Sequence, residues 1–134
     1  MKKARILDDI MKSDMAKIEE TLKSIDRDAF NNAVETILKA KKIYIIGIRS
    51  CAPLAEFLHF YMNLICDNVV LVTTNTPSEV FEKMINIKEK DVVIGISFPR
   101  YSMSTLKALE FASNQKAKVI TLTNSVHSPI NLYS

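Results

Sequence analysis

The chain has 134 residues, of which 48% are hydrophobic and 25% charged, and its formal net charge is +3. This length fits one domain with a single substantial core, and the composition excludes a largely disordered chain. So small a net charge gives no reason to expect nucleic-acid binding, and no apolar run is long enough for a membrane span or a signal peptide.

The N-terminal part predicts two helices. An apolar stripe at intervals of three and four residues runs along the first, through Leu7, Met11, Met15, Ile18, Leu22 and Ile25. Such a helix has little of its own domain to cover, so we expect residues 1–25 to form a linker or dimerisation helix. Asp26 is predicted to cap a second helix, whose buried face would consist of Phe30, Ala33, Val34, Ile37 and Leu38.

From residue 42 onwards, short β-branched runs alternate with helical periods. The runs at 42–48, 69–73, 91–97 and 118–123 are typical of strands buried on both faces. Pro53 opens the helix after the first strand, and its apolar face is Leu54, Phe57, Leu58, Tyr61, Met62 and Ile65. A capping box at Thr76 and Glu79 starts the next helix, towards Ile85. The last helix, about 102–114, has its core side at Leu106, Leu109 and Ala112.

This alternation predicts an α/β fold. We expect a three-layer αβα sandwich with a parallel sheet in the flavodoxin-like order 2-1-3-4, preceded by N-terminal helices. Ligands bind such sheets at the carboxyl ends of the strands, where the strand order reverses, here between strands one and three.

Two of the four arginines, Arg49 and Arg100, follow those two strands. They lie in the first loop (residues 47–53, GIRSCAP) and in the third loop (residues 97–105, SFPRYSMST). Each loop also offers hydroxyl groups and the start of a helix, where backbone N–H groups attract anions. A phosphate monoester would suit both loops.

Several other kinds of site are excluded by the same residues. A dinucleotide fingerprint needs three spaced glycines, whereas the chain has only Gly47 and Gly95. A P-loop would need a Gly-Lys-Ser/Thr ending, and a phospho-receiver domain an aspartate in place of Ser97. A thiol phosphatase would need an arginine six residues after Cys51, where this chain has Phe57. Cys51 and Cys66 have neither the spacing of a metal site nor the density of a disulfide scaffold, which favours a reducing compartment. With no apolar run of membrane-spanning or signal-peptide type, we expect a cytoplasmic protein, and we expect no metal and no cofactor.

The two loops, the order of elements and the C-terminal segment 121–130 (TLTNSVHSPI) resemble the SIS (sugar isomerase) domain, most closely the effector domain of RpiR/MurR-type transcription regulators. The resemblance covers roughly residue 26 to the end. In that family a glycine-led first loop and a third-strand loop of pattern S-x-S-G-x-T bind the phosphate and hydroxyls of a sugar phosphate. A later S-P-L-type segment closes the site.

The family pattern transfers to this chain with four departures. Ser97 matches the first serine of the third-strand loop and Ser102 its threonine, but Pro99 replaces the second serine and Arg100 the glycine. Arg49 stands where many members have a second glycine, and Cys51 where many have serine. Two guanidiniums in place of two glycines narrow the pocket and favour a more anionic ligand. The ligand-binding residues that the resemblance implies are Arg49, Ser50, Cys51, Ser97, Arg100, Tyr101, Ser102 and Ser128.

The resemblance also carries expectations about the whole protein. It implies a phosphosugar sensor domain over residues 26–134, C-terminally truncated and without its fifth strand. We expect it to act as a homodimer and to reach DNA only through an N-terminal helix-turn-helix domain that is absent here. We expect no catalytic residue, no metal and no membrane. An aldose–ketose phosphate isomerase and a structural dimerisation module with a degenerate pocket are the alternatives.

Each selected residue also has a purely structural interpretation. Arg49 and Arg100 could pair with helix carboxylates, the serines could cap helices, and Cys51 could simply be packed. An isomerase would need a base, for which Glu56, His59 and His127 are the nearby candidates. We expect His59 to be a packed or partner-facing side chain rather than a catalytic base.

Overall fold

The computed structural model describes residues 2–124. The chain divides into two compact units, Met1–Val34 and Glu35–Ser134. The helices are α1 (Lys2–Ser24), α2 (Arg27–Lys39), α3 (Ala52–Ile65), α4 (Pro77–Met84) and α5 (Met103–Asn114), with a short 3-10 turn (Arg49–Cys51) before α3. The strands are β1 (Ile43–Gly47), β2 (Val69–Val72), β3 (Val92–Ile96) and β4 (Lys118–Leu122). None of the helices within residues 2–124 is both long and apolar enough to cross a lipid bilayer.

The sheet has the predicted topology. Its four strands are all parallel and lie in the order β2-β1-β3-β4. In the central pair, Ile43 is in register with Val92 and Gly47 with Ile96. The carboxyl ends of β1 and β3 are therefore neighbours at the point where the strand order reverses, which confirms the placement on which the predicted crevice depends.

Alternate residues of the strands point to opposite faces of the sheet and pack into two separate cores, one on each face. On one face, Ile43 and Ile45 of β1 pack with residues of α3. On the other, Tyr44 and Ile46 pack with residues of α4 and α5. The predicted core residues of α5 are placed as expected, because Leu109 and Ala112 are buried and Leu106 packs against them.

Helix α3 is apolar around most of its circumference, and its predicted apolar face is buried only in part, at Leu58 and Met62. Only Ala55 and Met62 of this helix are buried, with Leu58 and His59 half-buried. The large apolar residues on the rest of its surface are exposed: Leu54, Phe57, Phe60, Tyr61, Leu64 and Ile65. Because apolar residues occur at nearly every position, their spacing alone could not select the side that meets the sheet.

The start of α2 agrees with the sequence, but its predicted buried face agrees only in part, since Ala33 and Ile37 are half-buried. Asp26 caps the helix, since its Oδ1 accepts a hydrogen bond from the Ala29 N–H at 3.0 Å. Phe30, Val34 and Leu38 are exposed, however, and α2 has no buried residue. The apolar stripe of α1 is exposed along its entire length as well. An amphipathic pattern indicates that a face packs on something, without indicating that the same chain supplies the other surface.

The capping box predicted for α4 is also wrong in its side-chain contacts. Thr76 does occupy the N-cap position, but its side chain makes no cap hydrogen bond. Instead the Thr74 hydroxyl donates to the carboxylate of Glu79 and accepts from the Thr76 N–H. The side chain of Glu79 therefore bonds the hydroxyl of Thr74, whereas a capping box would pair it with the backbone N–H of Thr76.

The buried phenol of Tyr44 predicts a loss of stability at alkaline pH. Burial, with a smaller contribution from the charge of Asp91, raises the pKa of Tyr44 above 10.0. Above about pH 10 the unfolded chain therefore releases this proton more readily, and the free energy of unfolding falls as the pH rises. Urea unfolding should show a steeper decline above pH 10 in the wild type than in Tyr44→Phe. An equal decline in both proteins would contradict the prediction, and the exposed Tyr61→Phe serves as the control.

Candidate functional site

The candidate site lies at the carboxyl ends of β1 and β3, where the first and third loops leave the sheet side by side. Neighbouring strands are about 4.8 Å apart, so these loops begin close to each other. The first loop turns through the 3-10 segment Arg49–Cys51 directly into α3, and the third loop leads into α5. Two helix starts therefore face the same edge of the sheet.

Gly47 allows the first loop to turn tightly against the end of β1. A Cβ atom at this position would lie 2.6 Å from the carbonyl oxygen of Cys51 and 2.8 Å from the Cβ of Ala55. Both are closer than real Cβ contacts permit, and both belong to the segment that starts α3. Glycine is thus required for the helix start to approach the strand.

Arg49 and Arg100 both have a left-handed backbone conformation. Their φ angles are 59° and 70°, in the region where a side chain costs about 1 kcal/mol or more and glycine is favoured. These are the two positions at which the sequence pattern has arginine in place of glycine. At both positions the backbone adopts a conformation suited to glycine, although the residue is an arginine with a long cationic side chain.

Neither arginine has a partner within residues 2–124. Both are exposed and neither forms a hydrogen bond there, and the one ion pair in that part of the chain joins Lys23 and Glu19. The interpretation that they pair with helix carboxylates is therefore not supported.

The helix starts at this edge also lack acidic residues. The first turns of α3 and α5 and the 3-10 turn contain none, whereas α2 has Asp28 and α4 has Glu79. Carboxylates in the first turn stabilise a helix through its dipole. Without such carboxylates, no acidic side chain in these first turns offsets the positive ends of the two helix dipoles or the charges of Arg49 and Arg100.

The hydroxyl groups of the third loop have different roles. Ser97 is buried at the end of β3, and its N–H donates to the carbonyl oxygen of Leu122 at 3.1 Å. Ser102 caps α5, with its Oγ accepting from the Thr105 N–H at 3.4 Å. This bond uses one lone pair and leaves the Ser102 O–H free to donate, so capping and ligand binding are compatible.

Thr105 was missed by the sequence reasoning. Its side chain is completely buried in the first turn of α5, and its hydroxyl has no hydrogen-bond partner among the described residues. It follows Ser102 and Ser104, so the clustering of hydroxyl residues could have drawn attention to it. An unpaired buried hydroxyl at this position is costly, which makes the first turn of α5 a locally unfavourable arrangement.

Tyr101 connects the third loop to the end of β4. Its hydroxyl donates to Oδ1 of Asn124 at 2.7 Å. Asn124 was not among the predicted site residues, although its position two residues after the end of β4 could have identified it. This hydrogen bond holds the third loop to the end of β4, which lies on the other side of β3 from β1 and the first loop.

We expect Tyr101→Phe to lower the free energy of unfolding by about 1 kcal/mol and to speed amide exchange in the third loop and at Asn124, because it removes this hydrogen bond. Hydrogen exchange followed by mass spectrometry measures both. Asn124→Ala should have a similar or larger effect, because Oδ1 of Asn124 also accepts from the Thr123 hydroxyl at 3.3 Å, and the double variant should be no worse than Asn124→Ala alone. Additive losses would show that the two side chains do not act through their shared bond.

The remaining predicted residues are placed as follows. Cys51 is buried and packs in the core beneath α3, while Ser50 is exposed beside Arg49. The Nε2 of His59 lies 3.3 Å from the carbonyl oxygen of Val69, which ties α3 to β2. Ser128 and His127 lie outside the described residues. No group of three or more metal-ligating side chains occurs within residues 2–124.

Comparison with known proteins gives the family. Residues 36–134 match the model described as the SIS domain. The chain belongs to the SIS domain family.

This SIS domain is similar to curated transcription regulators. It is 27% identical over 125 residues to an uncharacterised HTH-type transcriptional regulator of Clostridium perfringens, covering 93% of this chain and 44% of the relative. It is 29% identical over 122 residues to the HTH-type transcriptional regulator HexR of Escherichia coli, covering 87% and 39%. The chain thus spans less than half the length of these relatives.

Solved structures give the same fold. The sugar isomerase domain of an RpiR transcription factor from Sphaerobacter thermophilus superimposes with a TM-score of 0.90 at 25% identity, covering 97% of this chain and 72% of that one. The NanR protein of Vibrio vulnificus, solved in complex with ManNAc-6P, has a TM-score of 0.84 at 21% identity, covering 96% and 48%. At that identity the second match supports the fold of this SIS domain alone.

Proposed function

We propose that this SIS domain is the phosphosugar-binding effector domain of an RpiR-type transcription regulator of the cytoplasm. The observation that carries the proposal is the pair of arginines at neighbouring strand ends, Arg49 and Arg100, which have no partner among residues 2–124. Two helix starts without acidic residues surround them. The ligand would lie between the first and third loops, with its phosphate bound by guanidinium, hydroxyl and backbone N–H groups.

The similarity to regulators supports a sensor that binds its ligand without turning it over. The two curated relatives are named as HTH-type regulators, and the neighbouring NanR structure contains a sugar phosphate. Within the described residues, His59 contacts the Val69 carbonyl and Glu56 is exposed on α3. Val69 is the first residue of β2, so this contact holds His59 towards the amino ends of the strands rather than at the crevice, and Glu56 has no hydrogen bond or ion pair among the described residues that would orient it as a base. The alternative, an aldose–ketose isomerase, is therefore treated as an outcome of the test.

The sensor would act as a homodimer through its two exposed apolar faces, the stripe on α1 and the outer surface of α3. Glu56 and the half-buried His59 are the only acidic or basic residues in the sequence of α3. A face with so little charge can meet a second copy of itself across a two-fold axis without like-charge repulsion. A ligand that prefers one arrangement of the two copies would then shift the dimer geometry and so affect a DNA-binding domain.

The test of binding is an NMR titration with sugar phosphates and their unphosphorylated parents, which follows protein amide shifts and sugar signals in one tube. We expect saturable shifts in the first and third loops with phosphorylated compounds only, and an unchanged sugar. Formation of the keto or epimeric sugar would identify an isomerase. No response to any phosphorylated sugar would overturn the proposal and favour a structural module.

The dimer is tested separately by sedimentation equilibrium. Met15→Glu places a charge in the α1 stripe and Phe57→Glu places one on the exposed surface of α3, so neither alters a buried residue. We expect one or both to weaken the dimer by tenfold or more, while Glu20→Gln on α1 leaves it unchanged. A wild-type monomer at high concentration would refute the dimer without affecting the binding proposal.

A further inference from the structure

The loops that enter the strands bring half of the chain's lysines to one edge of the sheet. With the residue on either side of each, these loops are 39–43, 65–69, 84–92 and 114–118. Because the strands are parallel, the loops lie at the same edge, opposite the crevice, and we call this surface the amino edge. It contains seven of the 14 lysines, three in the first loop, two in the third and two in the fourth. These loops are far apart in the sequence, so only folding brings their charges together.

The amino edge has a net charge of +4, since its seven lysines are opposed only by Asp67, Glu89 and Asp91. The last turns of α2 to α5, which end at this edge, add only Glu82 and Lys83 to that count, and these two charges cancel. The negative ends of the four helix dipoles contribute about −0.5 each, so the edge keeps about +2. The whole chain carries +3, so the sequence outside this edge is slightly acidic. The small net charge of the chain, which gives no reason to expect nucleic-acid binding, is therefore unevenly distributed.

The lysines lie in a row, because β1, β3 and β4 are neighbours and begin at the same level. Ile43 is in register with Val92, and Val92 with Lys118. The Lys41 N–H donates to the carbonyl oxygen of Lys90 at 2.9 Å, which joins the loops before β1 and β3. Neighbouring strands are about 4.8 Å apart, so the row extends over about 10 Å. One strand of duplex DNA has a phosphate about every 3.4 Å along the axis, so the row is long enough to contact about three of them.

The ammonium groups of these lysines have no carboxylate partner within residues 2–124. The one ion pair there joins Lys23 and Glu19, outside the amino edge. Asp91 is buried, and its Oδ2 accepts a hydrogen bond from the backbone N–H of Lys88 at 2.9 Å, so this carboxylate is used within its own loop. Six of the seven lysines are exposed and Lys42 is half-buried. The row is therefore accessible to a large partner.

Ordinary structural roles account for three of the seven lysines. Lys39 lies in the last turn of α2 and Lys116 follows the C-cap of α5, where a cation stabilises a helix through its dipole. The Nζ of Lys42 lies 5.8 Å from the centre of the Tyr44 ring, within the range of a cation–π contact. The other four side chains form no hydrogen bond or ion pair among the described residues: Lys41, Lys88, Lys90 and Lys118. Four exposed cations in one row without such a role indicate a surface for an external anion.

We infer that the amino edge binds the phosphate backbone of duplex DNA without reading its sequence. The choice of DNA among polyanions rests on the proposed function, because a transcription regulator would act beside DNA. The amino edge contains no arginine, and lysine is a point charge suited to phosphate rather than to a paired contact with a base. This contact would supplement the one expected from a separate DNA-binding domain.

A membrane surface fits the amino edge less well than DNA does. Surfaces that bind membranes combine basic residues with exposed large apolar side chains. The lysine-bearing stretches 39–42, 88–91 and 116–118 have no such side chain. Ile65 and Ile85, which are exposed at the same edge, lie outside these stretches. The row therefore offers charge without the apolar residues that would enter a lipid layer.

The experiment measures how binding of the full 134-residue chain to a fluorescently labelled duplex of mixed sequence depends on salt. Fluorescence anisotropy gives the binding constant between about 50 and 200 mM salt. The logarithm of that constant should fall with the logarithm of the salt concentration with a slope of about −0.9 for each phosphate contacted, or about −2.7 for three. Lys90→Gln and Lys118→Gln, both at exposed positions, should each flatten the slope by about 0.9. The double variant should bind tenfold or more weakly at the lowest salt concentration.

The matched control is Lys107→Gln, at an exposed position of α5 outside the amino edge. It removes the same charge as each single variant and should leave the slope unchanged. NMR amide shifts locate the contact, and we expect them in 39–43, 84–92 and 114–118. Shifts confined to the first and third loops of the crevice would overturn the inference. It would also be overturned by a wild type that does not bind, by unchanged slopes in both lysine variants, or by equal flattening in Lys107→Gln.

Two further probes test the choice of DNA. Polyglutamate and vesicles of phosphatidylserine and phosphatidylcholine are titrated at the same salt concentration, and we expect both to bind at least tenfold more weakly than the duplex. Binding of either as tightly as the duplex would overturn the assignment to DNA. The proposed function is tested separately, by the response of the first and third loops to sugar phosphates. A chain that binds sugar phosphates but no DNA would keep the sensor and lose this inference, and the reverse result would do the opposite.

Discussion

Replacement of Gly47 by alanine is expected to lower the free energy of unfolding by about 3 kcal/mol, the upper end of the usual cost of overpacking. The added methyl group would lie 2.6 Å from the Cys51 carbonyl oxygen and 2.8 Å from the Ala55 Cβ. Neither atom can move alone, because Cys51 and Ala55 are both buried and Ala55 is held within α3. Relief of the clash requires the whole start of the helix to shift away from β1.

Chemical denaturation of the two alanine variants, Gly47→Ala and Gly95→Ala, measures the effect. Gly95 is the matched control, since the three atoms nearest to its Cβ would all belong to the side chain of Leu109, at 2.9 Å, 3.0 Å and 3.4 Å. A side chain can rotate where a backbone carbonyl cannot, so we expect a loss of about 1 kcal/mol there. Equal losses in the two variants would show that the first loop is more adaptable than its geometry indicates. Gly47→Ala should also weaken ligand binding, because the shift would displace Arg49.

The double variant Arg49→Gly/Arg100→Gly is expected to raise the free energy of unfolding by about 2 kcal/mol while abolishing ligand binding. Each substitution places glycine in a left-handed conformation that costs an arginine about 1 kcal/mol. Removal of two unpaired cations from one edge of the sheet also lowers their mutual repulsion. Binding is lost because charge-assisted hydrogen bonds contribute about 1.5 to 3 kcal/mol each.

The control for the double variant is Lys116→Gly, which should gain stability without losing ligand binding. Lys116 has φ of 67° just after α5, where glycine is the common residue, and it lies at the opposite end of that helix from the third loop. It should gain about 1 kcal/mol of stability with unchanged binding. A fall in stability in the double variant, with a gain in Lys116→Gly, would mean that the two arginines make favourable contacts that outweigh their strain.

The sheet could be predicted because its residues are constrained on both faces. Continuous β-branched runs separated by helix-length segments leave few possible topologies, and the order 2-1-3-4 is one of the common ones. The strand ends at Gly47 and Ile96 therefore fell close to their predicted positions. Amphipathic helices were harder, since the exposed faces of α2 and α3 contain the same residue types as a core.

The neighbouring positions of Arg49 and Arg100 were predictable, but their backbone strain was not. Arg49 and Arg100 could be assigned to neighbouring strand ends from the order of elements alone. That both adopt positive φ could not be read from residue types, because arginine is not favoured in this conformation. The contact between Tyr101 and Asn124 depends on how two loops meet in space, so no local pattern contains it.

Because α3 follows the first loop directly, a change in the loop would alter the direction of the whole helix. The helix begins directly after the 3-10 turn that contains Arg49 and continues for 14 residues, or roughly 21 Å at 1.5 Å per residue. A tilt of about 10° at its start would therefore displace its far end by roughly 4 Å. Exposed Leu64 and Ile65 lie at that far end. A small tilt of α3 at the first loop would therefore move Leu64 and Ile65 by about the width of a methyl group.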